Sequence, residues 1–207
     1  MPECCKRIEA VKNFRKASTR VSTKKLADVP LEFGTTNIPK SNYIVVPKVS
    51  SERRKYVPIG YLTPEILCSD LVFIIPDATL FHFGILISNV HMAWMRAVCG
   101  RLKSDYRYSK DIVYNNFPWS TPTEAQKERI ERTAQAILDA RALYPDSSLA
   151  DLYDELTMPP ELRKAHQLND RAVMAAYGFT KEHPAYKSET ACVAELMKMY
   201  QKLVEKK

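Results

Sequence analysis

The sequence predicts an α+β fold: a mixed β-sheet with flanking helices over residues 1–119, followed by a small all-α bundle over residues 120–207. β-forming residues cluster between about residues 29 and 76, helical periodicity marks both ends of the chain, and no strand signal follows residue 121. With 207 residues, 45% of them hydrophobic, the chain can bury one large core or two small ones.

The first predicted element is an amphipathic helix that starts at residue 3. Its apolar stripe consists of Cys4, Ile8, Val11 and Phe14. Because natural domains often begin with a few loose residues, a helix that starts this early leads us to expect a chain cut from a longer protein.

The middle of the first half has strand character. Runs rich in Tyr, Ile and Val predict strands at residues 43–46, 56–61 and 71–75. Residues 79–102 return to helical spacing with a break expected near Ser88, and an extended piece is predicted over residues 106–114.

The second half has the pattern of a helical bundle. Residues 115–122 have the composition of a domain boundary. Thr121 is the predicted N-cap of the next helix, with Pro122 at its first position and Glu124 completing a capping box. The helical periods predict helices at about residues 122–143, 149–156, 160–177 and 189–205.

Positive charge is concentrated in the first half. Residues 1–119 hold 18 Lys and Arg against 10 Asp and Glu, whereas residues 120–207 hold 13 against 14. Clustered positive charge attracts polyanions such as nucleic acid, but it is also typical of a surface that keeps a protein in solution. Charge alone leaves both interpretations open.

The sequence lacks the motifs of several classes of catalytic site. Five glycines are too few for a P-loop or a dinucleotide-binding fingerprint, which excludes nucleotide hydrolysis. A methyltransferase would need a glycine-rich loop and an Asn/Asp-Pro-Pro-aromatic element, but residues 158–161 have Met and Glu at the two decisive positions and are interpreted as a helix start. A metal-dependent nuclease would need a Glu-x-Lys string. The single such string, at residues 205–207, falls at the fraying end of the chain. No catalytic residue is therefore predicted.

The cysteines and histidines predict neither disulfides nor a metal site. The five cysteines are odd in number and form no CxxC pair, and the four histidines have no ligand-like spacing with them. His82 and His91 fall in an apolar helical stretch, so we expect them in the core or at an interface rather than as catalytic bases. Free thiols, the lack of a signal peptide and the lack of a membrane-length apolar run predict a cytoplasmic protein without a membrane partner.

Two segments carry side chains that suit nucleic acid. Residues 48–55 form a predicted connection between strands, with hydroxyls and cations that can bind phosphate oxygens, although an exposed charged loop would have the same composition. If residues 101–108 are extended, Lys103, Asp105 and Arg107 project from one face at intervals of about 7 Å. Lys103 could then donate to guanine while Asp105 accepts from the cytosine of the same G·C pair; a solvated Lys/Asp pair is the simpler alternative at this point.

Longer strings in this chain are similar to one known family, the MmeI-like single-chain type II restriction–modification enzymes. The similar strings are residues 48–54, 56–60, 80–84, 99–109, 113–119, 145–154 and 156–160. They are long, and together they spread the resemblance over nearly the whole chain. Ser120 departs from the family pattern, in which proline usually follows the Trp119 position.

The resemblance implies a function. In that family a nuclease domain, an S-adenosylmethionine-dependent adenine N6-methyltransferase domain and a target-recognition domain follow one another and end in a helical segment. This chain resembles only the last parts, which implies a sequence-specific double-stranded DNA recognition module without catalytic domains or cofactor of its own. The full-length parent would use S-adenosylmethionine, and Mg²⁺ for cleavage, and its upstream methyltransferase domain would be the second partner beside DNA.

The resemblance also implies roles for single residues. It assigns base reading to Lys103, Asp105 and Arg107. The phosphate contacts that we expect are Lys48, Ser50, Ser51, Arg53, Arg54 and Arg101. Two rival interpretations are a helical protein-interaction module with a non-functional basic surface and a self-sufficient methyltransferase that binds S-adenosylmethionine.

Overall fold

The computed structural model describes residues 1–34 and 39–205, and the chain divides into two compact units, residues 1–38 and 39–207. The first unit contains helices α1 (Pro2–Lys16) and α2 (Val21–Lys25) and a 3₁₀ turn at Leu26–Asp28. The Arg15 guanidinium donates to the carbonyl oxygens of Leu26, Val29 and Glu32 at 2.7–2.8 Å, which fastens the segment after α2 onto the end of α1. The predicted first helix is confirmed, but none of its predicted apolar stripe is buried, and Phe14 is 77% exposed.

The second unit contains two small antiparallel sheets. The first has the order β3-β1-β4, and its strands are β1 (Tyr43–Pro47), β3 (Gly60–Leu62) and β4 (Val72–Ile75). The second has the order β2-β6-β5, and its strands are β2 (Val49–Ser50), β5 (Gly100–Leu102) and β6 (Asp105–Arg107). The α+β class is confirmed, with the strands in two antiparallel sheets rather than in one mixed sheet.

Helices follow the strands of the first sheet and, later, those of the second. Between the β4 and β5 strands lie α3 (Leu80–Leu86) and α4 (Asn89–Val98), separated at Ser88 as predicted. Five more follow β6, namely α5 (Glu124–Ala142), α6 (Leu149–Leu152), α7 (Pro160–Ala176), α8 (Pro184–Lys187) and α9 (Glu189–Val204). The short α8 was not predicted; its Pro184 takes the first helical position after His183, whose side chain accepts from the Ala185 N–H at 3.1 Å.

Several local predictions are wrong. The helical stretch predicted over residues 79–102 ends at Val98, and Gly100–Leu102 form β5. The helix predicted at 149–156 ends at Leu152. The predicted strand at 56–61 forms only from Gly60 on, because the apolar residues before it enter the core without pairing in a sheet. The predicted extended piece at 106–114 ends at Arg107, and residues Lys110–Tyr114 form a π-helix. The N-cap of α5 is Thr123 rather than Thr121: its hydroxyl accepts from the Gln126 N–H, and the Gln126 side chain accepts from the Thr123 N–H.

One hydrophobic core runs through residues on both sides of position 120. Helix α3 packs on α5 and α7, and the Asn169 side-chain amide donates to the Gly84 carbonyl oxygen at 2.8 Å. The division into functional domains at 119/120 stays a prediction, and it falls inside the second compact unit.

Within residues 1–34 and 39–205, no helix is both long and apolar enough to cross a membrane.

Candidate nucleic-acid interface

Strands β5 and β6 form a hairpin whose two-residue turn is Lys103–Ser104. Lys103 adopts a φ of 56°, in the left-handed region that non-glycine residues seldom occupy. The prediction that Lys103, Asp105 and Arg107 form a row on one strand is therefore wrong in its geometry: Lys103 lies at the tip, and the other two lie on β6. The hairpin still brings all three into one short segment.

Side chains alternate along β6 between the core and the surface. Tyr106 and Tyr108 are buried, whereas Asp105 is half-buried and Arg107 is exposed. Paired residues of an antiparallel sheet share a face, so the register places further residues beside Asp105 and Arg107. This outer face consists of Val49, Gly100, Leu102, Asp105 and Arg107.

The end of β6 is anchored in the core. The Tyr108 hydroxyl shares a 2.9 Å hydrogen bond with His91 Nε2 of α4, and the His91 ring packs edge-on against Phe117. Complete burial lowers the pKa of His91 to about 3, so the ring is neutral at pH 7. His91 is thus a core residue, as predicted.

Lys48 connects the two sheets through its backbone. Its N–H donates to the Leu71 carbonyl oxygen at 3.0 Å, and its carbonyl oxygen accepts from the Tyr108 N–H at 2.9 Å. Its ammonium lies 5.3 Å from the centre of the Phe73 ring, a cation–π distance. These two backbone hydrogen bonds of Lys48 therefore fix the position of the second sheet, which carries the outer face, relative to the first sheet.

The segment after β2 forms a turn. The Ser51 carbonyl oxygen accepts from the Arg54 N–H at 3.2 Å, and the Ser51 hydroxyl accepts from the Arg53 N–H at 3.3 Å. Arg53 is exposed and Arg54 is half-buried. Ser50 is 4% exposed and its hydroxyl has no partner among the described residues, so burial argues against the predicted role of Ser50 as a phosphate contact.

Arg101 contacts the protein on several sides. Its guanidinium donates to the Ser104 carbonyl oxygen at 2.8 Å and lies 4.1 Å from the centre of the Tyr106 ring. The same group is 3.8 Å from the Glu52 carboxylate, and the Glu52 N–H donates to Asp105 Oδ1 at 3.4 Å. The roles of Glu52 and Tyr106 were not predicted, because the pairing of β2, β5 and β6 cannot be read from the sequence until the register is known.

The hairpin has the size and the chemistry to contact base edges. A two-stranded ribbon fits the major groove of B-DNA, where Lys and Arg donate to guanine and Asp accepts from cytosine. Lys103 and Arg107 offer donors and Asp105 offers an acceptor, all within five residues. Across residues 1–34 and 39–205, no three His, Cys, Asp or Glu side chains are grouped so that they could hold a metal ion.

Comparison with known proteins assigns the two parts of the chain. A family model described as "MmeI, target recognition domain" matches residues 1–121. The chain belongs to this MmeI family. A second model, "MmeI, C-terminal domain", matches residues 122–206, so the sequence-based recognition of MmeI-like target-recognition and C-terminal parts is confirmed. All nine predicted DNA contacts lie within the part that matches the MmeI target recognition domain.

Individual relatives agree with the MmeI assignment. The chain is 40% identical over 200 residues to DNA methyltransferase A of Bacillus subtilis (strain 168), a match that covers 97% of this chain and 22% of the relative. A solved structure, described as type IIL restriction-modification enzyme MmeI in complex with DNA, superimposes with a TM-score of 0.88 at 44% identity over 98% of this chain and 26% of the other. The chain therefore spans about a quarter or less of the length of these relatives.

Proposed function

We propose that this chain recognises a specific sequence of duplex DNA for a restriction–modification methyltransferase. The β5–β6 hairpin carries the proposal, since it presents Lys103, Asp105 and Arg107 on an element that fits the major groove. Membership of the MmeI target recognition family and the likeness to an MmeI structure described as in complex with DNA support it.

Base reading and phosphate binding fall to different parts of the site. Lys103 at the tip and Asp105 on β6 read the two halves of one G·C pair, and Arg107 reads a neighbouring base. Phosphate contacts, which set the register on the duplex, come from Lys48, Ser51, Arg53 and Arg54.

The chemistry lies in other domains of the full-length protein. An upstream methyltransferase domain of the same polypeptide binds S-adenosylmethionine and methylates adenine N6. A nuclease domain uses Mg²⁺ for cleavage. The full-length protein acts on DNA in the cytoplasm. The chain itself has no catalytic role. Calorimetry on residues 1–207 with S-adenosylmethionine should give no binding heat, and a measurable affinity would contradict this division of labour.

The base-reading assignment is tested by exchanging donor and acceptor. In the full-length enzyme, Lys103→Glu with Asp105→Arg should convert one recognised G·C pair to C·G, because the hydrogen-bonding groups change places. The measurement is sequencing of the adenines methylated in plasmid DNA. A matched control, Glu124→Lys with Lys127→Glu on α5, exchanges an exposed ion pair away from the hairpin and should keep the parental site. If the hairpin exchange also keeps the parental site, the assignment is wrong.

A salt titration separates DNA recognition from a protein-interaction role. Each phosphate neutralised by Lys or Arg contributes about −0.9 to the slope of log K against log salt for duplex DNA. The four proposed phosphate contacts include three cations, so the slope for the chain should be steep, and Arg53→Ala should reduce its magnitude by about one unit. A flat slope would instead fit a module that docks proteins.

A further inference from the structure

We infer that Arg101 is a positioning residue that holds the Lys103–Ser104 turn and so places Lys103, rather than a phosphate contact. This deepens the proposed function and rests on it where DNA is concerned. Three independent contacts of the guanidinium, and the face of the sheet on which it lies, carry the inference.

The register turns Arg101 away from the outer face. Arg101 pairs with Tyr106, and this pair lies on the opposite side of the hairpin from Leu102 and Asp105. The guanidinium stacks 4.1 Å from the centre of the Tyr106 ring, whose side chain is buried. Arg101 is exposed, as Arg53 is, but its stacked and hydrogen-bonded guanidinium is already oriented by the protein.

The hydrogen bond of Arg101 spans the turn. It runs from the residue before Leu102 to the carbonyl oxygen of Ser104, and so closes the loop that contains Lys103. Lys103 is one of the two non-glycine residues with positive φ in the described part of the chain. A left-handed conformation costs a residue with a Cβ free energy, and surrounding contacts must maintain it. The Arg101 bond is such a contact.

Glu52 extends the same support to Asp105. Its carboxylate is 3.8 Å from the Arg101 guanidinium, and its backbone N–H donates to Asp105 Oδ1. The residues that we assign to one G·C pair are thus held by a connected set of contacts made by Arg101, Glu52 and Tyr106. Loss of the planar guanidinium should disturb Lys103 first.

The first test needs no DNA. In the free chain, the ¹³C shifts of Lys103 report its positive φ, and Arg101→Lys should move them toward those of a flexible residue, since lysine keeps the charge but lacks the planar fork and the stacking. Arg53→Lys is the matched control and should leave them in place. Unchanged Lys103 shifts in a folded Arg101→Lys protein would overturn the inference.

The second test uses a pool of random duplexes. Arg101→Lys should lower the preference for the base pair read by Lys103 and Asp105 by about tenfold and leave the salt slope unchanged. Arg53→Ala should reduce the magnitude of the salt slope and leave the preference unchanged. The inference is overturned if Arg101→Ala reduces the magnitude of the salt slope while both Arg101 variants keep the base-pair preference. That outcome would identify Arg101 as a phosphate contact. If the unmodified chain enriches no sequence, the proposed function fails and the DNA part of the inference falls with it, while the Lys103 shifts still report on the turn.

Discussion

His91 and His166 are neutral residues in a buried core. Each ring shares a hydrogen bond through Nε2 with a tyrosine hydroxyl, at 2.9 Å to Tyr108 and 2.7 Å to Tyr153. Burial lowers the pKa of His91 to about 3 and that of His166 well below its usual 6.5. Because the unfolded chain binds a proton near pH 6.5 and the folded chain does not, each histidine reduces stability as the pH falls through 6.5.

This linkage predicts a pH dependence that can be assigned to His91. Between pH 7.5 and pH 5, the His91 contribution to the free energy of unfolding should fall by about 2 kcal/mol. His91→Gln keeps a hydrogen-bonding group near Tyr108 but does not titrate, so the variant should lose about 2 kcal/mol less than the parent over this interval. Urea unfolding followed by tryptophan fluorescence at the two pH values measures the difference.

Asp170 acts in the opposite direction and does not affect the comparison. Burial raises the pKa of Asp170 to about 6, so its contribution is largest below its usual value of 3.8 and decreases as the pH rises to about 6. The carboxyl is present in both proteins, and its effect therefore cancels in the difference. An equal pH dependence in parent and variant would mean that His91 is not the buried neutral group described above.

At the scale of elements, sequence patterns located the base-reading candidates but not the hairpin that carries them. The base-reading candidates were found from residue types and from the family resemblance, yet Lys103–Ser104 contains none of the glycine or asparagine that marks a tight turn. The turn with Lys103 at φ 56° is closed by the bond from Arg101 to Ser104, and the contact of Arg101 with Glu52 joins residues 49 positions apart, which local patterns do not report. The π-helix at Lys110–Tyr114 was missed for a different reason, because alternating aromatic residues favour a strand.

The start of α5 gives an element-scale prediction. Thr121 and Thr123 are both exposed, but only Thr123 forms the capping box with Gln126. Thr123→Ala should therefore reduce the free energy of unfolding by about 1 kcal/mol, whereas Thr121→Ala should change it by less than about 0.5 kcal/mol. Thermal unfolding of the two variants under the same conditions checks this. If Thr121→Ala reduced stability as much as Thr123→Ala or more, Thr121 rather than Thr123 would be the N-cap.

At the scale of the whole molecule, side chains of α7 join the two parts that the family models divide. Asn169 donates to the Gly84 carbonyl oxygen, and Asp170 accepts from the Tyr56 hydroxyl at 2.7 Å and from the Asn89 N–H at 2.8 Å. The sequence predicted the α+β class and the bundle, since these follow from local periodicity. It did not predict these bonds, because they connect residues more than 80 positions apart.

Close packing at Gly84 predicts a specific loss of stability. A Cβ at this position would lie 2.6 Å from Ile130 Cγ2 of α5 and 3.1 Å from Asn169 Oδ1 of α7. Gly84→Ala should lower the free energy of unfolding by about 2 kcal/mol, even though alanine is the better helix former. Gly100→Ala is the control, because its Cβ would meet nothing nearer than 3.9 Å. A stabilised Gly84→Ala protein in urea unfolding would show that α3 can move away from its neighbours.

The bonds made by α7 have a consequence for building chimaeras between relatives. A graft cut at residue 120 would join Gly84, Asn89 and Tyr56 of one parent to a foreign α7, and would keep their partners only if that helix also carried Asn and Asp at the positions of Asn169 and Asp170. A new specificity is therefore better transplanted either as residues 39–207 together or as the few exposed side chains of the β5–β6 hairpin. The second route leaves the buried bonds of α7 untouched, so, if the hairpin reads bases as proposed, specificity could be exchanged without rebuilding the core.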